Sequence, residues 1–322
     1  MPSATPELPR RYVSPELVAR GGMAEVYRAT DRLLERVVAI KVLDDRFAAD
    51  EELRQRFMRE ARVAAGLSGT RNVVTVFDVG ETVEERPYIV MDVLPGGSGA
   101  DRVREGVTTA QALDWLEQAA RGLDAAHAAG VVHRDVKPGN LMLTSEGEVQ
   151  VADFGIARSP SDGALTSAGT ILGTTGYMAP EQSTGGRATA ASDRYALAVV
   201  AFELLTGRRP YAGETAATEA LAHATAPVPR ATDVDPRLPP LVDSVLAEGL
   251  AKEPAARPPS CAQLVDGLRR AFHETESETQ RLPGVAAATR VERPARRPPA
   301  WVGGAGVGLL VLLAAGVGLA GL

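Results

Sequence analysis

The chain has 322 residues, of which 45% are apolar, so it is long enough and apolar enough for one large domain or two, and it is not a disordered protein. Its formal net charge of -6 leaves no basic footprint, which gives nucleic-acid binding little electrostatic support. The one cysteine, Cys261, cannot form an internal disulfide, consistent with a reducing compartment. We expect Cys261 to be a small buried residue near a helix start.

Residues 1–11 include three prolines and are predicted to be a disordered lead-in to an ordered body that begins near Tyr12. From there to residue 94 the pattern is mostly extended. One helix interrupts it, because Leu53, Phe57 and Ala61 recur at i+4 spacing and Gly66 is a plausible stop. Runs rich in β-branched residues predict strands at 37–43, 73–79 and 88–93.

After residue 95 the pattern becomes helical. The fold class is therefore predicted to be α+β, with a small β-rich lobe over 12–94 and a larger α-rich lobe over 95–272. Residues 273–300 carry glutamates, arginines and prolines with few large apolar side chains, which is typical of a flexible linker. Amphipathic or buried helices are predicted at 110–129, 193–206, 239–251 and 261–271.

The last segment, residues 301–322, contains no charged side chain. As a helix it would be about 33 Å long, enough for a hydrocarbon core of roughly 30 Å, so we expect a C-terminal transmembrane helix. A buried core helix is the alternative. Four arginines at 290, 293, 296 and 297 precede the span, and the positive-inside rule then places residues 1–300 in the cytoplasm. The expected location is the cell membrane, with a single pass.

Two short motifs point to a chemistry. Residues 133–140 read HRDVKPGN, and residues 153–155, which follow Asn140 at a spacing of thirteen, read DFG. Together they resemble the catalytic loop and metal-binding segment of protein kinases, which implies a bilobal protein kinase fold. The resemblance implies that Asp135 accepts the proton of the substrate hydroxyl, and that Lys137 neutralises charge on the γ-phosphate. It further implies that Asn140 and Asp153 hold Mg²⁺, or Mn²⁺ in its place.

A lysine in an apolar strand is the next part of the resemblance. Residues 38–41 read VAIK, like the kinase strand whose lysine reaches the nucleotide phosphates. Strand periodicity puts Ala39 and Lys41 on one face. Burying Lys41 without a partner is costly, so a carboxylate should lie nearby, and Glu60 on the helix of the small lobe is the candidate.

The nucleotide-covering loop matches the kinase pattern G-x-G-x-x-G-x-V incompletely. Residues 19–26 read ARGGMAEV, with alanine at the first and third glycine positions. Ala24 should be a mild change, whereas Ala19 is expected to crowd the nucleotide and raise the KM for ATP. Residues implied to contact ATP, through phosphate, ribose or adenine, are Ala19, Gly21, Gly22, Val26, Ala39, Lys41, Met91, Asp92, Leu94, Ser98 and Met142.

The segment between Asp153 and the APE motif at 179–181 resembles the kinase activation segment. Thr174 matches the threonine that hydrogen-bonds the catalytic aspartate and lysine. We expect autophosphorylation on Thr166, Ser167 or Thr170, with Thr166 favoured, because Arg134 offers a cation for the phosphate. As structural charges, the resemblance implies an ion pair between Glu181 and Arg257, and Asp193 as a brace for the catalytic loop.

The resemblance covers residues 12–272 and implies an ATP-dependent, membrane-anchored serine/threonine protein kinase of the bacterial, actinobacterial type. Lys137 is typical of the serine/threonine pattern. Expected partners are proteins with serine or threonine acceptors and the membrane, without nucleic acid, and a homodimer is left open. The alternative is a pseudokinase scaffold, suggested by the two alanines of the nucleotide loop. The long activation segment, suited to docking a polypeptide, disfavours a small-molecule phosphotransferase.

Overall fold

The computed structural model describes residues 5–154 and 175–281. The small lobe is a five-stranded antiparallel sheet with strand order β1-β2-β3-β5-β4, and the helix α1 packs on one of its faces. These elements are β1 (Tyr12–Arg20), β2 (Ala24–Asp31), β3 (Arg36–Leu43), α1 (Glu51–Gly66), β4 (Val76–Glu81) and β5 (Pro87–Met91).

Strand β3 shows the two-residue period that its sequence predicts. Val38, Ile40 and Val42 are fully buried in an apolar cluster on one face of the sheet, whereas Ala39 and Lys41 are partly exposed on the other. Asp50 caps the start of helix α1, and its side chain accepts hydrogen bonds from two backbone N–H groups of the first turn. The helix ends at Gly66, as predicted.

Two segments of the small lobe differ from the sequence predictions. The strand predicted at 73–79 begins only at Val76, because the backbone of residues 72–74 bonds instead to Val151 of the large lobe. Residues 5–11, predicted to be a disordered lead-in, lie against the small lobe. The Glu7 carbonyl accepts a bond from Val83, and the Arg11 guanidinium bonds the carboxylate of Asp31 at 2.7 and 2.8 Å.

The large lobe is helical apart from one short hairpin. Its centre is α5 (Ala190–Thr206), which is buried on nearly all sides and is therefore apolar around its whole circumference rather than amphipathic. Helix α3 (Thr109–Ala128) packs beside it. The elements are α2 (Gly99–Glu105), α3 (Thr109–Ala128), β6 (Leu141–Leu143), β7 (Val149–Val151), α4 (Pro180–Ser183), α5 (Ala190–Thr206), α6 (Ala216–Thr225), α7 (Pro240–Gly249) and α8 (Cys261–Arg281). The predicted small β-rich lobe and larger α-rich lobe are confirmed.

Helix α8 begins at Cys261, which is fully buried as predicted. Its first two N–H groups, on Cys261 and Ala262, each donate to one carboxylate oxygen of Asp124 on α3, at 2.9 Å. The helix continues to Arg281, beyond its predicted end at 271 and into the predicted linker. Across 5–154 and 175–281, no helix combines the length and apolar character needed to cross a bilayer. The predicted span 301–322 lies outside the described residues.

Candidate active site

One lysine connects three elements in the cleft between the lobes. Lys41 Nζ on β3 lies 3.1 Å from Glu60 Oε1 on α1 and 2.8 Å from Asp153 Oδ1, just beyond β7. The side chains of Lys41 and Glu60 are 15% and 12% exposed, and that of Asp153 is 45% exposed. Glu60 therefore pairs with Lys41 as predicted, and Asp153 is a second carboxylate partner of the same ammonium group.

Burial and charge act in opposite directions on this triad. Burial alone would lower the pKa of Lys41, but the two carboxylates outweigh it and hold that pKa above its ordinary value. Burial alone would raise the pKa of Asp153, yet the Lys41 ammonium holds it below its ordinary value. For Glu60, burial prevails and raises the pKa. Lys41 is thus a fixed cation, with Asp153 as the charged partner.

The catalytic-loop residues predicted to work together do meet. Asp135 Oδ2 accepts hydrogen bonds from Lys137 Nζ at 2.7 Å and from Asn140 Nδ2 at 3.2 Å. The same Asn140 amide donates to the Asp135 carbonyl at 2.8 Å. The backbone carbonyl of Asn140 accepts a hydrogen bond from the backbone N–H of Ala152 at 2.9 Å. This bond places Asn140 beside the segment after β7 that carries Asp153.

Two residues of the site hold strained backbone conformations. Arg134 has φ of 69° and Asp153 has φ of 58°, both in the left-handed region that non-glycine residues rarely occupy. Asp193, buried on α5, restrains the first of them. Its carboxylate accepts from the backbone N–H of His133 at 2.7 Å and from that of Arg134 at 2.8 Å. Asp193 therefore braces the catalytic loop, as the resemblance implied.

His133 joins the catalytic loop to the segment around Asp153. Its Nε2 donates to the Ala152 carbonyl at 2.9 Å, and its Nδ1 accepts from the Asp135 N–H at 3.2 Å, which fixes the tautomer. Its ring lies 4.7 Å from that of Phe154, measured between centroids. The imidazole thus aligns the two segments that carry the predicted proton acceptor and metal ligand.

His127 is a site-supporting residue that the sequence reasoning missed. Its Nε2 lies 2.7 Å from Asp193 Oδ2, behind the catalytic loop. Burial alone would lower its pKa, but Asp124 and Asp193 raise it to about 9. Its signal in the sequence is a histidine in the last turn of α3, six positions before the motif, where the helix dipole favours a cation.

Ligand atoms of Asp124, His127 and Cys261 all lie within 4.8 Å of one another. Both oxygens of Asp124 already accept N–H groups of α8, and His127 is bound to Asp193. Burial raises the pKa of the Cys261 thiol well above its ordinary value. This arrangement is a hydrogen-bonded helix cap beneath the catalytic loop.

The nucleotide loop is the turn between β1 and β2. Its turn is closed by a 2.8 Å bond from the Gly21 N–H to the Ala24 carbonyl. Ala19 and Ala24 both lie outside the left-handed region, so neither position requires glycine for its backbone angle. The Ala24 methyl is buried with Leu43 and Phe57 in the core of the small lobe, whereas Ala19 is exposed. Ala19 is thus the alanine whose methyl is free to crowd a nucleotide.

The predicted adenine contacts lie on both sides of the cleft. In the small lobe, Met91 pairs with Ala39 across the sheet, and Val26 pairs with Lys41. In the large lobe, Met142 and Ser98 form an isolated bridge. Val26, Ala39 and Met142, three of the residues that the resemblance implies contact ATP, are all partly exposed, as a binding surface requires.

Two residues that are predicted to contact the nucleotide already use a polar group in a hydrogen bond within the protein. The Asp92 N–H donates to the Thr75 carbonyl at 3.0 Å. The Ser98 hydroxyl caps helix α2 by accepting from the Asp101 backbone N–H at 3.3 Å, and it donates to Asp101 Oδ2 at 2.7 Å. Leu94 is partly exposed beside them, and Gly22 has open space around its Cα. The contacts of Asp92 and Ser98 with ATP remain predictions.

The ion pair between Glu181 and Arg257 is present. The two side chains meet through two bonds of 2.8 Å, and the fully buried guanidinium also donates to backbone carbonyls, including that of Ala251 at 2.8 Å. Burial alone would raise the pKa of Glu181, but Arg257 and Ser192 hold it below its ordinary value. The pair anchors the APE motif to the large lobe. Thr166, Ser167, Thr170 and Thr174 lie outside the described residues.

Residues 12–268 match the protein kinase domain family. PknA, a serine/threonine-protein kinase of Mycobacterium tuberculosis, is 40% identical over 295 residues, which cover 90% of this chain and 64% of PknA. PrkC of Bacillus subtilis is 38% identical over 268 residues, covering 81% of this chain and 40% of PrkC. The chain thus spans less than two thirds of the length of these relatives.

The crystal structure of the PknI kinase domain from M. tuberculosis superimposes with a TM-score of 0.65 at 30% identity, over 84% of this chain and 99% of that one. The fold and the cleft together define a bilobal protein kinase. The chain belongs to the protein kinase family and, within it, to the bacterial eukaryotic-like serine/threonine kinases.

The raised pKa of His127 predicts a pH-dependent stability. An unfolded histidine titrates near 6.5, so the ion pair stabilises the fold fully below that pH and is lost as the pH rises through about 9. The difference in unfolding free energy between wild type and His127→Gln should therefore shrink between about pH 6.5 and 9 in urea titrations. Gln263→Asn, a change between non-titrating side chains at an exposed position of α8, is the control without such a trend. A constant difference for His127→Gln across this range would contradict the assignment.

Proposed function

We propose that the chain transfers the γ-phosphoryl group of Mg-ATP to serine and threonine hydroxyls of proteins. The observation that carries this proposal is the pairing of Lys41 with both Glu60 and Asp153 in the same cleft as the bonded group of Asp135, Lys137 and Asn140. Phosphoryl transfer depends on positioning and charge neutralisation, and these side chains supply both.

The residues present fit a divalent cation and a nucleotide. Asp153 and Asn140 offer carboxylate and amide oxygens, the ligand type that Mg²⁺ prefers. Asp153 is 45% exposed, and the bonds of Asn140 Nδ2 to Asp135 fix the orientation of its amide. Magnesium, when bound, would neutralise phosphate charge between these two residues. Lys41, held by Glu60, would orient the α- and β-phosphates.

The catalytic loop supplies the proton acceptor. The Asp135 carboxylate accepts the proton of the acceptor hydroxyl and orients its oxygen. Lys137 Nζ, 2.7 Å from Asp135 Oδ2, places a cation where negative charge develops on the transferred group. The strained backbone of Arg134, held by Asp193, keeps Asp135 in place.

The pseudokinase alternative has less support. A scaffold that only binds partners has no need to hold the buried Lys41 between two carboxylates. Burying these charges costs desolvation free energy. The two alanines that suggested it do not strain the nucleotide loop.

Three further features complete the proposal. We propose activation by autophosphorylation of Thr166, Ser167 or Thr170, protein substrates with serine or threonine acceptors, and a single membrane pass at 301–322. The support for the membrane pass is the uncharged 22-residue run. The arginines that precede this run support, by the positive-inside rule, a cytoplasmic location for the catalytic region.

Lys41→Met and Asp135→Asn test the proposed activity. Each should lower the rate of phosphate transfer from Mg-ATP to a model protein substrate by at least about a hundredfold, because phosphate positioning or proton acceptance is lost. Asp266→Asn, at an exposed position on α8, is the matched control and should retain wild-type activity. Activity that survives in both active-site variants would overturn the proposal, and a wild type without activity would favour the scaffold.

Phosphopeptide mapping tests the activation mechanism. Purified wild type incubated with Mg-ATP should carry phosphate on Thr166, Ser167 or Thr170, and Asp135→Asn should carry none. Ser145, exposed in the hairpin turn between β6 and β7, is an internal control that should stay unmodified. Active enzyme with all three positions unmodified would contradict autophosphorylation at this segment.

The two alanines of the nucleotide loop should behave differently. Ala19→Gly should lower the KM for ATP, because it removes an exposed methyl from the loop. Ala24→Gly should leave KM unchanged and lower stability by roughly 0.5–1 kcal/mol, since it removes a buried methyl and frees the backbone. Steady-state kinetics and urea unfolding measure the two effects. An unchanged KM in Ala19→Gly would show that this methyl does not crowd ATP.

A further inference from the structure

A buried carboxylate on β2 has no place in the site described above. Glu25 is the second residue of β2, just after the turn of the nucleotide loop, and is 2% exposed. Its Oε1 lies 3.3 Å from Arg20 Nε at the end of β1. Its Oε2 accepts from the Tyr27 hydroxyl at 2.8 Å and from Arg86 Nη2 at 3.4 Å. A carboxylate so deeply buried requires such partners, so the cluster is built around its charge.

The face of the sheet shows that Glu25 cannot reach a nucleotide. Val26 stands opposite Lys41 on the cleft side of the sheet. Glu25 stands opposite Val42, which is buried in the apolar cluster on the other side together with Tyr27. Because side chains alternate along a strand, Glu25 points away from the cleft. Any influence on ATP must pass through the loop itself.

The contacts of Glu25 are placed to hold that loop. Arg20 and Glu25 are partners across the hairpin, so their ion pair closes the base of the loop. Arg86, the second cation, donates from Nε to the Leu43 carbonyl at 2.9 Å. The cluster therefore ties the loop to the end of β3, two positions beyond Lys41.

A backbone bond strengthens the same connection. The Asp44 N–H donates to the carbonyl of Met23, within the loop, at 2.9 Å. Besides the ladder between β2 and β3, the loop thus has one backbone bond to Asp44 and one ionic attachment, through Arg86, to the end of β3. The ionic attachment is the one that a side-chain substitution can remove.

We propose that Glu25 is a positioning residue that, through Arg20, holds the nucleotide-covering loop in register with Lys41. The inference rests on the proposed function, since it is ATP that the loop would cover. Arg20 is 48% exposed, so the loop side of the cluster can be removed with little loss of stability. Arg86 is buried with Glu25 and holds the other side.

The decisive variant is Arg20→Met, combined with Glu25→Gln in a double-mutant cycle. Arg20→Met should raise the KM for ATP about fivefold, leave kcat and the melting temperature unchanged, and be largely rescued by Arg20→Lys. In the Glu25→Gln background, Arg20→Met should have no further effect on KM, because the pair is already broken. Glu25→Gln itself should also lower the melting temperature, since it leaves Arg86 without its buried anion.

The matched control is another ion pair on the same hairpin. Arg28 and Glu16 lie 3.9 Å apart and are 56% and 74% exposed. Arg28→Met and Glu16→Gln make the same chemical changes and should leave the KM for ATP unchanged.

Three outcomes would overturn the inference about Glu25. An unchanged KM in Arg20→Met overturns the inference while the proposed function stands. An equal rise in KM in both backgrounds overturns it as well, because Arg20 would then act independently of Glu25. A wild type that neither binds ATP nor transfers phosphate overturns the proposed function, and the inference with it.

Discussion

The cleft depends on the charge of Lys41. An ammonium group set into an apolar strand is stable only where carboxylates compensate its desolvation, and here one comes from α1 and one from the segment after β7. The interaction therefore sets the position of α1 against the sheet and the position of Asp153 against both. Asp153 is more exposed than Glu60 and stays ionised, so Asp153 is the carboxylate that would bind the proposed metal ion.

The catalytic loop depends on a second buried charge. Asp193 lies in α5, a helix buried on nearly all sides, and it accepts two backbone N–H groups of a loop that includes a left-handed arginine. Strain of this kind persists only where the surroundings enforce it. His127, protonated at neutral pH, stabilises that carboxylate, and Asp124 in turn caps α8. The reacting groups thus rest on the most buried part of the large lobe.

The nucleotide loop keeps its conformation without the complete glycine pattern. Its glycine pattern is incomplete, yet its backbone needs no left-handed residue at either alanine. One alanine methyl fills the small-lobe core, and the loop is attached to β3 from its base. Glu25, on the far face of the sheet, has no access to the cleft, and we propose that it acts on the cleft by anchoring this loop.

The sequence alone determined the two lobes, the strand of Lys41, the helix of Glu60, and the grouping of Asp135, Lys137 and Asn140. These follow from local periodicity and from a motif whose members lie close along the chain. Tertiary structure decided the contacts of His127 and Glu25, the pairing of residues 72–74 with Val151, and the docking of residues 5–11. Each of these depends on contacts between distant segments, whose side chains meet only after the sheet and helices have packed.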